Sequence, residues 1–206
     1  MNYHNFYREL KNFPAISLRE ISKLPFKVYN HRLADWQKKG YLERVANGIY
    51  IFGDAEIDEK YLWYLSNKIY EPSYISLEAA FAYYGFIPES VYQITAVSTK
   101  KTYATKFRGV SFFYRTISRK YYFGYRHINW EKTFIRIAEP EKALIDYFYL
   151  NSEINSVGHI EELRFNSSSI REKINFDKMA AYLNYYSNKS LSERISIFRK
   201  WLDTND

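Results

Sequence analysis

The stretch KVYNHRLADWQKKGYLERVANGIYIF, residues 27–52, decides how the start of the chain folds. Val28, Leu33 and Trp36 fall at helical spacing and point toward a core, while Lys27, Tyr29, Asn30, Arg32 and Lys38 are left to face outward. That pattern predicts a helix over residues 27–39, with Gly40 stopping it as a C-cap. Residues 41–45 and 49–52 then read as two strands around Ala46-Asn47-Gly48. Asn-Gly is a strong hairpin signal because both residues tolerate positive φ.

Working upstream, Phe6, Leu10 and Phe13 recur at helical spacing over a first helix at residues 5–12, which Pro14 ends. Ser17 stands three residues before Glu20, the capping-box arrangement, and Ile21 and Leu24 give the second helix its apolar stripe before Pro25. Three short helices followed by a tight hairpin follow the logic of a winged helix-turn-helix, in which the last helix enters the major groove of duplex DNA. On that reading Tyr29, Asn30 and Arg32 contact base edges, and Lys27, Lys38, Lys39 and Arg44 contact phosphates. His31 touches DNA or sits against the hairpin, and Asn47 at the hairpin tip completes the candidate set. Charge agrees with this reading. Nine bases and four acids fall in residues 1–53, a net of +5 out of +7 for all 206 residues. A basic patch attracts polyanions, although many basic faces are merely solvated.

Downstream, the acidic, polar residues 54–58 suggest a boundary between an N-terminal unit, residues 1–54, and a second unit, residues 55–206. Tyr61, Leu62, Leu65 and Ile69 suggest a linking helix. A further helix is expected over residues 76–84, capped by Ser76 and ended by Gly85, followed by strands at 91–98, 110–117 and 121–127. Pro140 fits the first turn of a helix, with Glu139 and Glu141 at its positive end and Ala143, Leu144, Phe148 and Tyr149 on its packed face. Two amphipathic helices centred on Met179 to Tyr186 and Leu191 to Trp201 close the chain. The expected fold class is α+β: a winged helix-turn-helix, then a larger mixed α/β domain with an antiparallel sheet and C-terminal helices.

Composition narrows the function classes. With no cysteine there is no disulfide, thiolate metal site or cysteine nucleophile, and His4, His31, His127 and His159 form no metal-binding pair. No run approaches the roughly 18 apolar residues of a membrane span, and the opening residues lack the plan of a signal peptide, so a cytoplasmic protein without metal or cofactor is expected. Lys100, Lys101, Lys106, Arg108 and Arg115, interleaved with aromatics such as Tyr103, Phe107, Phe112 and Phe113, offer a possible second nucleic-acid surface. A half-buried antiparallel sheet with its charges in water explains the same pattern and is preferred. Glu139, Glu141, Lys142 and Asp146 raise the thought of a nuclease. Its carboxylates would have to converge on a metal, however, and these share one helix, where Lys142 and Asp146 are expected to pair along the surface. Catalysis is not expected.

Residues 28–50 (VYNHRLADWQKKGYLERVANGIY) resemble the N-terminal domain of AbiEi-type antitoxins. Residues 74–89 (YISLEAAFAYYGFIPE), 97–101 (VSTKK) and 137–146 (IAEPEKALID) are similar in order and spacing to the effector domain of the same family. The resemblance implies a DNA-binding transcriptional repressor that autoregulates its operon at its own promoter. It also implies the antitoxin of a type IV toxin-antitoxin, or abortive-infection, module, countering a nucleotidyltransferase toxin without a stable complex. Such a protein would act as a monomer, or as a dimer assembling on DNA. The alternatives are a general nucleic-acid-binding module and, less favoured, a nuclease-like enzyme. Residues 151–206 carry no motif of the family.

Overall fold

The computed structural model describes residues 2–88 and 93–205. Helix α1, Tyr3–Leu10, starts earlier than its apolar spacing suggested because the Asn2 side chain accepts from the Asn5 N–H; it buries Phe6 and Leu10. A two-residue strand β1, Ile16–Ser17, precedes α2, Leu18–Ile21, whose capping box is present: Ser17 accepts from the Glu20 N–H and the Glu20 carboxylate accepts from the Ser17 N–H. Helix α3 spans Asn30–Lys38, shorter than the expected 27–39, so Lys27 and Val28 lie in the connection ahead of it. Strands β2, Leu42–Ala46, and β3, Ile49–Phe52, form the hairpin, and the three strands make an antiparallel sheet in the order β1-β3-β2. Of the turn pair only Gly48 has positive φ, +73°, and the register shifts between Arg44 and Ala46. The tip is therefore a bulged turn, not one with both central residues left-handed.

Helix α4, Glu59–Ile69, follows, capped by Asp58. Next come β4, Ser73–Ile75, and α5, Glu78–Tyr84. Ser76 is not the cap of α5: Leu77 holds that position, and the Ser76 hydroxyl donates elsewhere, to Asp146. Strands β5, Gln93–Ser98, β6, Tyr103–Phe107, and β7, Val110–Thr116, are followed by a 3-10 turn at Arg119–Tyr121 and by β8, Tyr125–Trp130, and β9, Thr133–Ala138. The strand expected at 121–127 thus begins only at Tyr125, and residues 91 and 92 of the strand expected at 91–98 lie outside the described residues. Helices α6, Pro140–Leu150, α7, Val157–Glu162, α8, Ser167–Lys173, α9, Phe176–Tyr186, and α10, Lys189–Thr204, complete the chain. The last two coincide with the expected amphipathic pair.

The larger sheet is mixed, not antiparallel. Its order is β6-β7-β5-β4-β9-β8, with β5/β7 and β4/β9 parallel. The reason is topological. Strand β6 returns along the outer edge of β7, leaving β7 beside β5 and running the same way. Side-chain alternation separates the two faces. Tyr114 donates to the Ser66 carbonyl of α4, while Tyr74 reaches Asp146 and Arg115 reaches Leu150, both on α6, so α4 and α6 cover opposite faces.

Two cores result. Phe6, Leu10, Ile16, Ile21, Leu33, Trp36, Leu42, Tyr50 and Phe52 form the smaller one. The larger core takes in Ala15, Val45, Ile49 and Ile51 from the same N-terminal stretch. Strand β3 is therefore buried on both faces, with Tyr50 and Phe52 toward the helices and Ile49 and Ile51 toward the second unit. Polar ties cross the same seam: Lys68 to Glu20 at 2.8 Å, Lys132 to Asn12 at 3.1 Å, Arg108 Nε to Glu43 at 3.0 Å, and the Tyr61 hydroxyl to the Pro14 carbonyl. Among the described residues no helix is long and apolar enough to cross a membrane.

Candidate nucleic-acid interface

Helix α3 buries only Leu33 and Trp36. The rest of the helix is turned outward, with Asn30, His31, Arg32 and Lys38 all exposed. Tyr29, its N-cap, supplies no side-chain acceptor to the first turn, and no acid stands there, whereas Asn2, Ser17 and Asp58 cap α1, α2 and α4. No side chain caps the positive end of α3. Beside it the Tyr29 and His31 rings stack at 5.6 Å, and the Lys27 ammonium lies 5.0 Å from the Tyr29 ring centre. Tyr29 remains 53% exposed, an aromatic surface held in place by its neighbours. One exposed acid, Asp35, shares the helix, and Lys39 follows it, also exposed.

At the hairpin tip, Arg44 donates from Nε to the Ala46 carbonyl at 3.3 Å and from a terminal nitrogen to Asn47 Oδ1 at 2.8 Å. These bonds hold a solvent-facing guanidinium in one orientation and leave donors free for a ligand. All nine candidate residues, Lys27, Tyr29, Asn30, His31, Arg32, Lys38, Lys39, Arg44 and Asn47, are exposed.

The second candidate surface is divided. Arg108 is bound to Glu43, and Arg115 donates to the Leu150 carbonyl at 2.8 Å and to Asn151 at 3.3 Å, satisfying the end of α6. Lys100 lies 5.2 Å from the ring centre of Tyr70, whose hydroxyl donates to the Lys101 carbonyl. Lys101 and Lys106 are exposed. Phe107 and Phe112 are buried in the core, while Phe113 and Tyr103 are part exposed.

The expectation of a surface pair between Lys142 and Asp146 is wrong. Both side chains are 0% exposed. The Lys142 ammonium donates to Asp146 and to the hydroxyls of Tyr74 and Tyr186, each at 2.9 Å. Asp146 also accepts from Tyr74 at 2.8 Å and Ser76 at 3.0 Å. Desolvation pushes Lys142 below its ordinary value against the opposing pull of Asp146, and desolvation pushes Tyr74 well above its own. Glu141 is likewise buried, accepting from the Asn175 N–H at 2.8 Å, and Glu139 accepts from Tyr182 at 2.5 Å. The sequence did hold a signal for this: Ala143, Leu144, Ile145, Tyr147 and Phe148 leave α6 apolar nearly all round, and such a helix is buried with whatever charges it carries. Among the described residues no group of three or more His, Asp or Glu is placed to hold a metal. No protein-family model and no curated protein sequence matches the chain.

Proposed function

We propose that the chain is a DNA-binding transcriptional repressor whose N-terminal unit is a winged helix-turn-helix, and that it serves as the antitoxin of a type IV toxin-antitoxin module of the AbiEi kind. The observation that carries the DNA-binding half is α3: two buried apolar residues, an outward face of Asn30, His31, Arg32 and Lys38, and a positive end that no side chain caps. A duplex supplies both complements, base edges for the helix face and a phosphate for its end. Arg44, oriented by Asn47, suits the adjacent minor groove. The antitoxin half is supported by the resemblance of residues 28–50, 74–89, 97–101 and 137–146 to that family. The toxin partner would be a nucleotidyltransferase countered without a stable complex.

The test is binding to the duplex upstream of the gene against scrambled duplex, over a salt series, with Arg32→Ala beside the wild type. A preference of at least about a hundredfold, lost in the variant, is the expected result. Equal, steeply salt-dependent binding to both duplexes would reduce α3 to an electrostatic footprint. The antitoxin half is tested separately, by co-expression with a neighbouring nucleotidyltransferase: rescue of growth is expected, and undiminished toxicity would overturn it.

A further inference from the structure

The two outer strands of the larger sheet, β6 and β8, differ in how their open edges are protected. The six residues of β8 pair with β9 without a bulge, from Tyr125 opposite Ala138 to Trp130 opposite Thr133. Among the described residues, no backbone hydrogen bond joins β8 to any element but β9. The two-residue turn Glu131-Lys132 makes Trp130 and Thr133 the hydrogen-bonded closing pair, and antiparallel pairing alternates from there. The N–H and C=O groups of His127 and Asn129 therefore point away from β9, and both residues are exposed. Such an edge is a template for another strand unless charge, proline or a bulge blunts it. On β6 the same alternation from Phe107 opposite Val110 turns Ala104 and Lys106 outward, and Lys100, Lys101 and Arg108 flank that strand. Edge β6 is thus guarded by four cations, whereas β8 holds neither Lys nor Pro and only one Arg, Arg126.

We infer that β8 is the interface between two copies of this chain, which pair antiparallel about a two-fold axis at Ile128 and join their two six-stranded sheets into one. In that register His127 of one copy faces Asn129 of the other in hydrogen-bonded pairs, Arg126 faces Trp130, and Ile128 meets Ile128, so no like charges stand opposite one another. Self-pairing of β6 about Thr105 would instead bring the four cations of one copy alongside the four of the other. Strand β8 is also ordered in advance. Trp130 packs on Tyr61 and Tyr64 at 5.3 and 5.2 Å, the Arg126 guanidinium lies 5.5 Å from the Tyr84 ring centre, and the His127 ring sits 4.2 Å from that of Phe134. Pairing therefore freezes little further. The interface is read without DNA, so its failure leaves the DNA-binding proposal untouched and the reverse also holds.

The test is sedimentation equilibrium of the full chain over a concentration series. A reversible monomer–dimer equilibrium is expected, half associated at about 10–100 µM because a single strand pair is a small interface. Asn129→Pro removes an outward N–H from each copy without touching the bonds to β9, and should weaken the dimer by at least about tenfold. His127→Lys combined with Asn129→Lys changes two exposed side chains, so it leaves folding intact, as circular dichroism will verify, and sets like charges opposite each other in both pairs. That variant should be monomeric, and so should His127→Glu combined with Asn129→Glu. Mixed one to one, the two should form a heterodimer, because the register places position 127 of one copy against position 129 of the other. A wild-type chain that stays monomeric at about ten times the expected range would overturn the inference. A dimer that survives the paired lysines would move the interface to another surface, and a mixture that stays monomeric would overturn the two-fold at Ile128.

Discussion

The same residue types meet opposite fates in two regions of this molecule. Around α3, Lys27, Tyr29 and Arg32 are exposed to water, with the Tyr29 ring stacked on His31 and the Lys27 ammonium over it. Around α6, Lys142, Tyr74, Tyr186 and Asp146 are sealed, and each makes hydrogen bonds within the cluster. An exposed cation costs little to maintain and is available to a polyanion. A buried one is held only by its partners, so it locks structure in place instead of binding anything. Chemistry-bearing residues therefore point to function only once their access to solvent is known.

The largest effect should come from breaking the sealed cluster on one side. Asp146→Ala leaves the Lys142 ammonium buried without its counter-charge, and denaturant unfolding should show a loss of about 3–5 kcal/mol. Replacing the pair together, Lys142→Met with Asp146→Leu, removes both charges and should recover much of that loss. If the single variant matched the wild type, Lys142 would have to reach solvent, and the contrast between the two regions would collapse.

Next in size is the seam. Ile51 is fully buried in the larger core although it belongs to the N-terminal hairpin. Ile51→Ala should cost about 2–4 kcal/mol by opening a cavity there. Because β3 is shared between the cores, the loss should appear in a single unfolding transition followed by both Trp36 and Trp201 fluorescence. Two separate transitions would mean that the units fold independently and that the seam couples them weakly.

A third test contrasts the two basic surfaces. Arg44→Ala should lower affinity for the native duplex by about 1–3 kcal/mol, since it removes a preoriented guanidinium. Arg115→Ala should leave affinity unchanged and instead destabilise the fold, because that side chain is committed to Leu150 and Asn151 at the end of α6. Gel-shift titration reads the first effect and denaturation the second, and an exchange of the two outcomes would move the DNA contact to the sheet.

What the sequence made legible was local. The Ser17/Glu20 capping box, the Asn47-Gly48 turn and Pro140 at the start of α6 each follow from hydrogen bonds or dihedral limits within a few residues. What it concealed was long-range. Strand β4 has three residues and β6 lies at the sheet edge, and the pairing of β4 with β9 joins residues 75 and 137, which no local pattern encodes. The double burial of β3 was hidden because Ile49, Tyr50, Ile51 and Phe52 are all apolar or aromatic and do not show which face is wet. At the candidate interface the outward exposure of the residues was legible but the start of α3 was not: the helical spacing took in residues 27–29, yet the helix begins at Asn30 and Val28 packs against the smaller core from the connection ahead of it.

The smallest effect concerns acid. Burial alone would raise the Glu20 carboxyl, but the hydrogen bonds from Lys68 and Ser17 overcome it and hold Glu20 below its ordinary range. A carboxylate depressed in the folded state contributes stability that is complete above its unfolded value, near 4.3, and is lost as pH falls through the folded value. Unfolding curves between about pH 5 and pH 3 should therefore show the seam weakening as Glu20 protonates and Lys68 loses its partner. Glu20→Gln keeps a side chain that can still accept from the Ser17 N–H but removes the titration, so its acid limb should be shallower than that of the wild type. The difference should stay below about 1 kcal/mol, because the pair is only partly shielded from water. An unchanged acid limb would assign the acid sensitivity to other carboxylates and leave the apolar residues of β3 as what holds the two units together.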